Sequence, residues 1–166
     1  MHLIRRWTAP TRRIAMYSRI LVPLDGSDTA ASGLREALAL ARDLHATLVL
    51  LHVVNEFPML VEMASVSSIA DIHEGLIKRG NELLAKASRD ATAAGVPCET
   101  LLHEMASGRV GDVIAEQARV RDCRLIVMGT HGRRGVSRLV MGSDAEITVR
   151  CAPVPVLLVR QQDTSA

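Results

Sequence analysis

Four short, almost unbroken apolar runs constrain this chain most: RILVPL at 19–24, TLVLLHV at 47–53, LIVM at 125–128 and VPVLLV at 154–159. A strand with one wet face alternates apolar and polar side chains, whereas a strand covered on both faces, as in a parallel sheet, does not. A fifth and more polar run, CETLL at 98–102, reads as a strand nearer an edge. Between these runs the apolar spacing becomes helical. Leu34, Ala37, Leu38, Ala41 and Leu44 recur over 29–44, Ile72, Leu76, Leu83, Leu84 and Ala87 over 69–94, and Val110, Val113, Ile114 and Ala118 over 108–120. A shorter fourth helix is expected over 143–150. Ser27 or Asp28 can cap the first helix, Gly95 closes the second, and residues 55–67, interrupted by Pro58, read as a loop. The order β-α-β-α-β-α-β-α-β predicts an α/β fold, an open five-stranded parallel sheet with helices on both faces.

Pro155 lacks the N–H that a central strand needs, so the last strand should lie at an edge. An exposed apolar edge is an aggregation hazard. Pairing with its twin, from Val154 to Val159, would cover it and predicts a homodimer.

At 166 residues the chain can bury a sizeable core as one domain, expected over 17–160, with a polar tail at 161–166. Trp7, Tyr17 and Phe57 are its only aromatics, too few for the stacking platforms of single-strand binders. Residues 1–16 contain four arginines and no acid, so the other 150 residues carry 16 basic and 18 acidic groups and a net charge of −2. Such a body does not suit duplex nucleic acid. The basic opening is expected to be a disordered extension or an upstream start, with Met16 opening the domain. No apolar run approaches the roughly 18 residues that span a bilayer, and no membrane partner is expected. Cys98, Cys123 and Cys151 are odd in number and make no C-x-x-C, which reads as buried thiols in a reducing, cytoplasmic compartment.

Ligands of open α/β sheets collect beyond the carboxyl ends of the strands, where the strand order reverses. The loops expected there are PLDGS at 23–27, VVNEF at 53–57 and GTHGRRG at 129–135. Glycines after a strand let backbone N–H groups approach an anion, and a helix beginning after Gly142 would add its positive end. Gly129, Gly132 and Gly142 are therefore phosphate-binding candidates, though glycines also make ordinary turns. Asp25 could accept from a ribose hydroxyl or a base amine, lie near a metal, or cap an Asx turn. Ser143 could donate to a phosphate or act as an N-cap. Asp144 answers the helix dipole, yet repels a phosphate unless it holds Mg2+ or faces away. Arg133, Arg134 and His131 could contact phosphate or merely be solvated. His103-Glu104 has no partners in metal-ligand spacing. The chain has no G-x-x-x-x-G-K-[ST], H-E-x-x-H, G-x-S-x-G or G-x-G-x-x-G, so the lysine-based P-loop, zinc-protease, hydrolase-elbow and dinucleotide readings fall away.

These motifs resemble the universal stress proteins over about residues 17–160. That family's G-x2-G-x9-G-[ST] is matched by Gly129, Gly132 and Gly142-Ser143; its opening V-P-x-D-G-S appears at 22–27, and its closing A-P-x-P-V-L-x-V at 152–159. The resemblance implies an adenine nucleotide alpha-hydrolase-like, Rossmann-like fold that binds ATP, with Mg2+ as a companion ion. It implies that Pro23, Leu24 and Asp25 face the nucleoside and that Val53 packs against adenine. Gly129, Gly132, Gly142 and Ser143 would hold ribose and phosphates, beside Arg133. Asp144 departs from the small or apolar residues usual at its position. The implied function is a homodimeric, ATP-binding regulatory protein of stress response, with protein partners and at most slow hydrolysis. Two other classes stay open: a nucleotide-free, chaperone-like interaction protein, and a nucleotide-using enzyme of a related α/β family.

Overall fold

The computed structural model describes residues 16–55, 69–131 and 141–160. Its elements alternate as expected: β1 (Arg19–Pro23), α1 (Asp28–Leu44), β2 (Thr47–Asn55), α2 (Ile69–Ala93), β3 (Cys98–Met105), α3 (Val110–Val120), β4 (Leu125–Gly129), α4 (Ser143–Cys151) and β5 (Val156–Val159). The strands form one parallel sheet in the order β3-β2-β1-β4-β5. The chain starts in the middle, works outward to β3, then crosses back to β4 and β5. The order therefore reverses between β1 and β4.

Side-chain alternation along each strand sends one set to each face. Ile20, Val22, Leu48, Leu50 and Val127 pack beneath Leu34, Ala37 and Ala41 of α1 and Leu84 and Ala87 of α2. Leu21, Val49, Leu51, Ile126 and Met128 pack beneath Ile114 and Ala118 of α3 and Ala145 of α4. Coverage on both sides is why these strands show no polar alternation. Each fully buried Leu or Ile contributes roughly 1.5–3 kcal/mol relative to exposure.

Three helices end in the same way. His45 after α1, Gly95 after α2 and Asp122 after α3 all take positive φ, at 54°, 70° and 51°. The following residue then donates its N–H to a carbonyl five positions back: Ala46 to Ala41, Val96 to Ala91 and Cys123 to Ala118, each at 2.9 Å. Ala46, Val96 and Cys123 are all buried. This is a Schellman stop, in which the reversed residue turns the chain and the next one plugs into the core. Only the stop at Gly95 was expected.

Several boundaries differ from expectation. β2 runs two residues further, to Asn55, and β3 runs to Met105, because the two pair continuously from Leu48↔Cys98 to Asn55↔Met105. β3 does lie at an edge, and so does β5. β5 begins at Val156 rather than Val154, since Pro155 has no N–H to give the ladder, although its carbonyl still accepts from Ile126 at 3.0 Å. Leu44, expected inside, is exposed. The last turn of α1 overhangs a shallow apolar groove beside β5, lined also by Tyr17, Leu40, Leu125, Pro155 and Leu157. Cys123 is buried, which pushes its thiol pKa up, but Cys151, expected buried, is exposed at the end of α4. The loop expected around Pro58 and the terminal segments lie outside the described residues.

At the amino end of the sheet, Arg19 of β1 reaches across β2. Its Nη1 and Nη2 donate to Glu99 of β3, both at 3.0 Å, while Nε donates to the Arg121 carbonyl after α3 at 2.9 Å. The guanidinium holds the Glu99 carboxyl below its usual range.

Candidate functional site

The sheet's order reverses between the carboxyl ends of β1 and β4, and most of the predicted site residues meet there. Leaving β1, Asp25 makes an Asx turn: its Oδ1 accepts from the Ser27 N–H at 2.9 Å and from the Ser27 hydroxyl at 2.6 Å. Ser27, one of the two expected caps, is the N-cap of α1, its Oγ accepting from the Ala30 N–H at 3.1 Å. Such a cap contributes about 1 kcal/mol. Asp25 is thereby fixed at the rim of the crevice by the turn that starts the helix.

Pro23 and Leu24 diverge. Pro23 is half-buried and follows Leu21 on the α3/α4 face, the face that Val53 of β2 also joins. Leu24 points the other way, into the core under α1 and α2, with its side chain buried. Its N–H donates to the Leu51 carbonyl at 2.7 Å, and its carbonyl accepts from His52 Nδ1 at 2.6 Å. Both main-chain groups of Leu24 are therefore engaged, and its side chain packs inside the fold. His52, not singled out in the sequence, pins the end of β1 to β2.

Gly129 closes β4 and lies against α1. A Cβ there would stand 2.7 Å from the carbonyl carbon of Thr29 and 2.8 Å from its oxygen. Gly33 answers from the helix side, where a Cβ would approach the Gly129 nitrogen to 3.2 Å. Glycine at both positions lets the first turns of α1 sit directly on the end of β4. The Thr29 hydroxyl then donates to the His131 carbonyl and ties the two loops together across the crevice.

The far side of the glycine motif returns to the same spot. The Gly142 N–H donates to the Thr130 carbonyl at 2.9 Å, and the Thr130 N–H donates to the Val159 carbonyl at 3.0 Å. α4 starts here. Its N-cap is Gly142, not Ser143, which is the first helical residue. Gly142, having no side chain, supplies no capping oxygen to the helix start, which suits an anion. Asp144 and Glu146 place two carboxylates in that first turn, favourable toward the dipole. α3 sets the position of this turn, because Gly111 lets it approach so closely that a Cβ would lie 2.8 Å from the Asp144 carbonyl oxygen. Gly132, Arg133 and Arg134 lie outside the described residues.

Thr130 is buried, and its Oγ1 lies 2.9 Å from His131 Nδ1. The other ring nitrogen, Nε2, is buried with no hydrogen-bond partner among the described residues. Leaving such a group unpaired costs about 1–3 kcal/mol. Thr29 and Thr130 escaped the sequence reading, and the place of Thr130 between Gly129 and His131 was the one signal available. Among the described residues no group of three or more His, Cys, Asp or Glu is placed to hold a metal ion. The crevice can hold a ligand by its walls, its amides and a helix start.

Known proteins resemble this chain closely. The family model for the universal stress protein family matches residues 16–160. A universal stress protein of Methanocaldococcus jannaschii is 34% identical over 146 residues, covering 88% of this chain and 84% of that protein. A crystal structure of a member of that family from Burkholderia pseudomallei is 35% identical, with a TM-score of 0.71, covering 87% of this chain and 96% of the other. The universal stress protein of Archaeoglobus fulgidus in complex with dAMP shares the fold at 23% identity and a TM-score of 0.63, covering 87% and 98%.

Proposed function

The chain belongs to the universal stress protein family, and from that premise we propose that it is an ATP-binding, regulatory member acting in the stress response. One observation carries the reading: the two ends of the glycine motif are joined by the Gly142-to-Thr130 hydrogen bond at the point where strand order reverses, beside Asp25. That brings a helix start beside a strand end, an arrangement that suits an anionic nucleotide. The Archaeoglobus fulgidus relative with dAMP supports an adenine nucleotide as the ligand class.

In this reading residues 17–160 form the nucleotide-binding domain. Pro23, Asp25 and Val53 face the nucleoside, with Leu24 contributing through the backbone path it fixes. Gly129, Gly132, Arg133, Gly142 and Ser143 hold ribose and phosphates, and Asp144 meets them directly or through Mg2+. Binding would stiffen the glycine loop and change the surface offered to protein partners. No catalytic residue is assigned. Two copies pair through β5, and the protein works in the cytoplasm. Among the described residues no helix is long and apolar enough to cross a membrane.

The test is mass spectrometry of small molecules released by denaturing the purified protein, followed by calorimetry with ATP and Mg2+. Released adenine nucleotide, or saturable one-site ATP binding, is expected. Neither nucleotide nor heat of binding would overturn the reading and favour a nucleotide-free interaction protein.

A further inference from the structure

Where the main-chain pairing of β1 with β2 stops, a side chain takes over. The parallel register runs from Arg19↔Thr47 to Pro23↔Leu51, and the Leu24 N–H still reaches the Leu51 carbonyl at 2.7 Å. The Leu24 carbonyl belongs to the peptide group that leads into Asp25, and it is bonded to His52 Nδ1 at 2.6 Å. A carbonyl oxygen only accepts, so Nδ1 carries a proton and donates, in a neutral and a charged imidazole alike.

The ring is also held from the helix side. Gly80 of α2 passes so close that a Cβ there would lie 2.7 Å from His52 Cδ2, 3.3 Å from Nε2 and 2.5 Å from Leu102 Cδ1 of β3. Glycine at this point of α2 makes the room that the imidazole occupies. Filling space between a leucine and a helix backbone calls for an apolar side chain. What imidazole adds is an N–H aimed at the Leu24 carbonyl.

Neighbouring side chains of a strand point to opposite faces. Leu50 packs under α1 and α2 and Leu51 under α3, so His52 falls on the first face and Val53 joins the second. Two successive residues of β2 thus serve the crevice from both sides. His52 holds the peptide group in front of Asp25, and Val53 stands on the wall assigned above to the nucleoside. Beyond that peptide group the Asx turn to Ser27 fixes the Asp25 carboxylate.

We propose that His52 is a positioning residue for nucleoside recognition. By donating from Nδ1 to the Leu24 carbonyl, it sets Asp25 against Val53 from the opposite face of the sheet. The inference rests on the nucleotide reading above and deepens it, because it makes nucleoside affinity depend on a bond outside the ligand's own contacts.

The test is calorimetric titration of adenosine, AMP and ATP into the wild type, His52→Phe and His52→Asn. Phenylalanine keeps an aromatic ring and removes the donor, whereas the asparagine amide can supply an N–H in place of Nδ1–H. Expected for His52→Phe is a loss on the order of tenfold, by the same factor for all three ligands, since the nucleoside is what they share. His52→Asn should recover most of it. Wild-type affinities in His52→Phe, even beside a lowered urea midpoint, would overturn the proposal and leave the bond to folding alone. A loss that grows from adenosine to ATP would refute it too, as would an asparagine variant no better than the phenylalanine one. A wild type that binds none of the three ligands would instead sink the nucleotide reading itself. Should the variants not fold, nitrogen-15 spectra of the wild-type histidines decide the matter. A His52 Nδ1–H whose exchange slows when adenosine binds supports the proposal; an unprotonated Nδ1, or exchange indifferent to adenosine, rules it out.

Discussion

Gly129 and Gly75 carry the same missing side chain and meet opposite surroundings. At Gly129 an added methyl group would fall 2.7 Å from backbone atoms of Thr29, which cannot rotate away, whereas at Gly75, within α2, nothing lies within 4 Å. Gly129→Ala should therefore lower unfolding stability by about 1–3 kcal/mol through overpacking. Gly75→Ala should raise it by up to about 1 kcal/mol through helix propensity. Urea denaturation of both variants checks the pair, and a neutral Gly129→Ala would contradict the close approach. The motif containing Gly129 was legible in the sequence, and so was its place at the end of a strand. Its contact with α1 was not, because the partners are about a hundred positions apart, as the Thr29-to-His131 bond with its separation of 102 shows. No local pattern registers a meeting of that kind. The inward direction of Leu24 was hidden for a related reason: a residue just past a strand keeps the alternation of that strand, and the motif alone does not say which face it inherits.

Strand centres and helix stripes could be read directly, since burial on both faces leaves its mark on every residue of β1, β2 and β4. Element ends were harder. β3 borrows its last three residues from continuous pairing with β2, and β5 loses its first two because of Pro155. The helix stops show why. Gly95 announces a left-handed turn by composition, but His45 and Asp122 adopt the same backbone without that signal. The local cue they share is a short one, a single reversed residue followed by a small or apolar one that plugs the core: His45-Ala46, Gly95-Val96, Asp122-Cys123. A side chain held at positive φ costs about 1–2 kcal/mol. His45 is exposed and its ring has no described role, so His45→Gly should raise stability by about 1 kcal/mol, after some loss to the greater freedom of the unfolded chain. Thermal or urea midpoints measure it. A destabilised His45→Gly would mean that the imidazole supports the end of α1 in another way.

Across the whole molecule the two sheet margins differ in character. β5 presents Leu157, 37% exposed, beside the groove under Leu44 and Tyr17. β3 presents Glu99, Thr100 and Glu104. The proposed pairing through β5 predicts a sedimenting species of twice the mass of one chain, and Leu157→Lys should shift it toward one chain by placing like charges across the seam. A wild type that sediments as a single chain at micromolar concentration would remove that pairing. The position of Pro155 let the edge be foreseen from sequence; the groove was not, since it depends on how far α1 overhangs the sheet. If β5 is the margin that pairs, these unlike margins would limit how large an assembly can become. In the language of polymer growth, the pairing proposed through β5 would give the sheet a functionality of one: two copies would saturate each other and leave the more polar β3 margins facing outward.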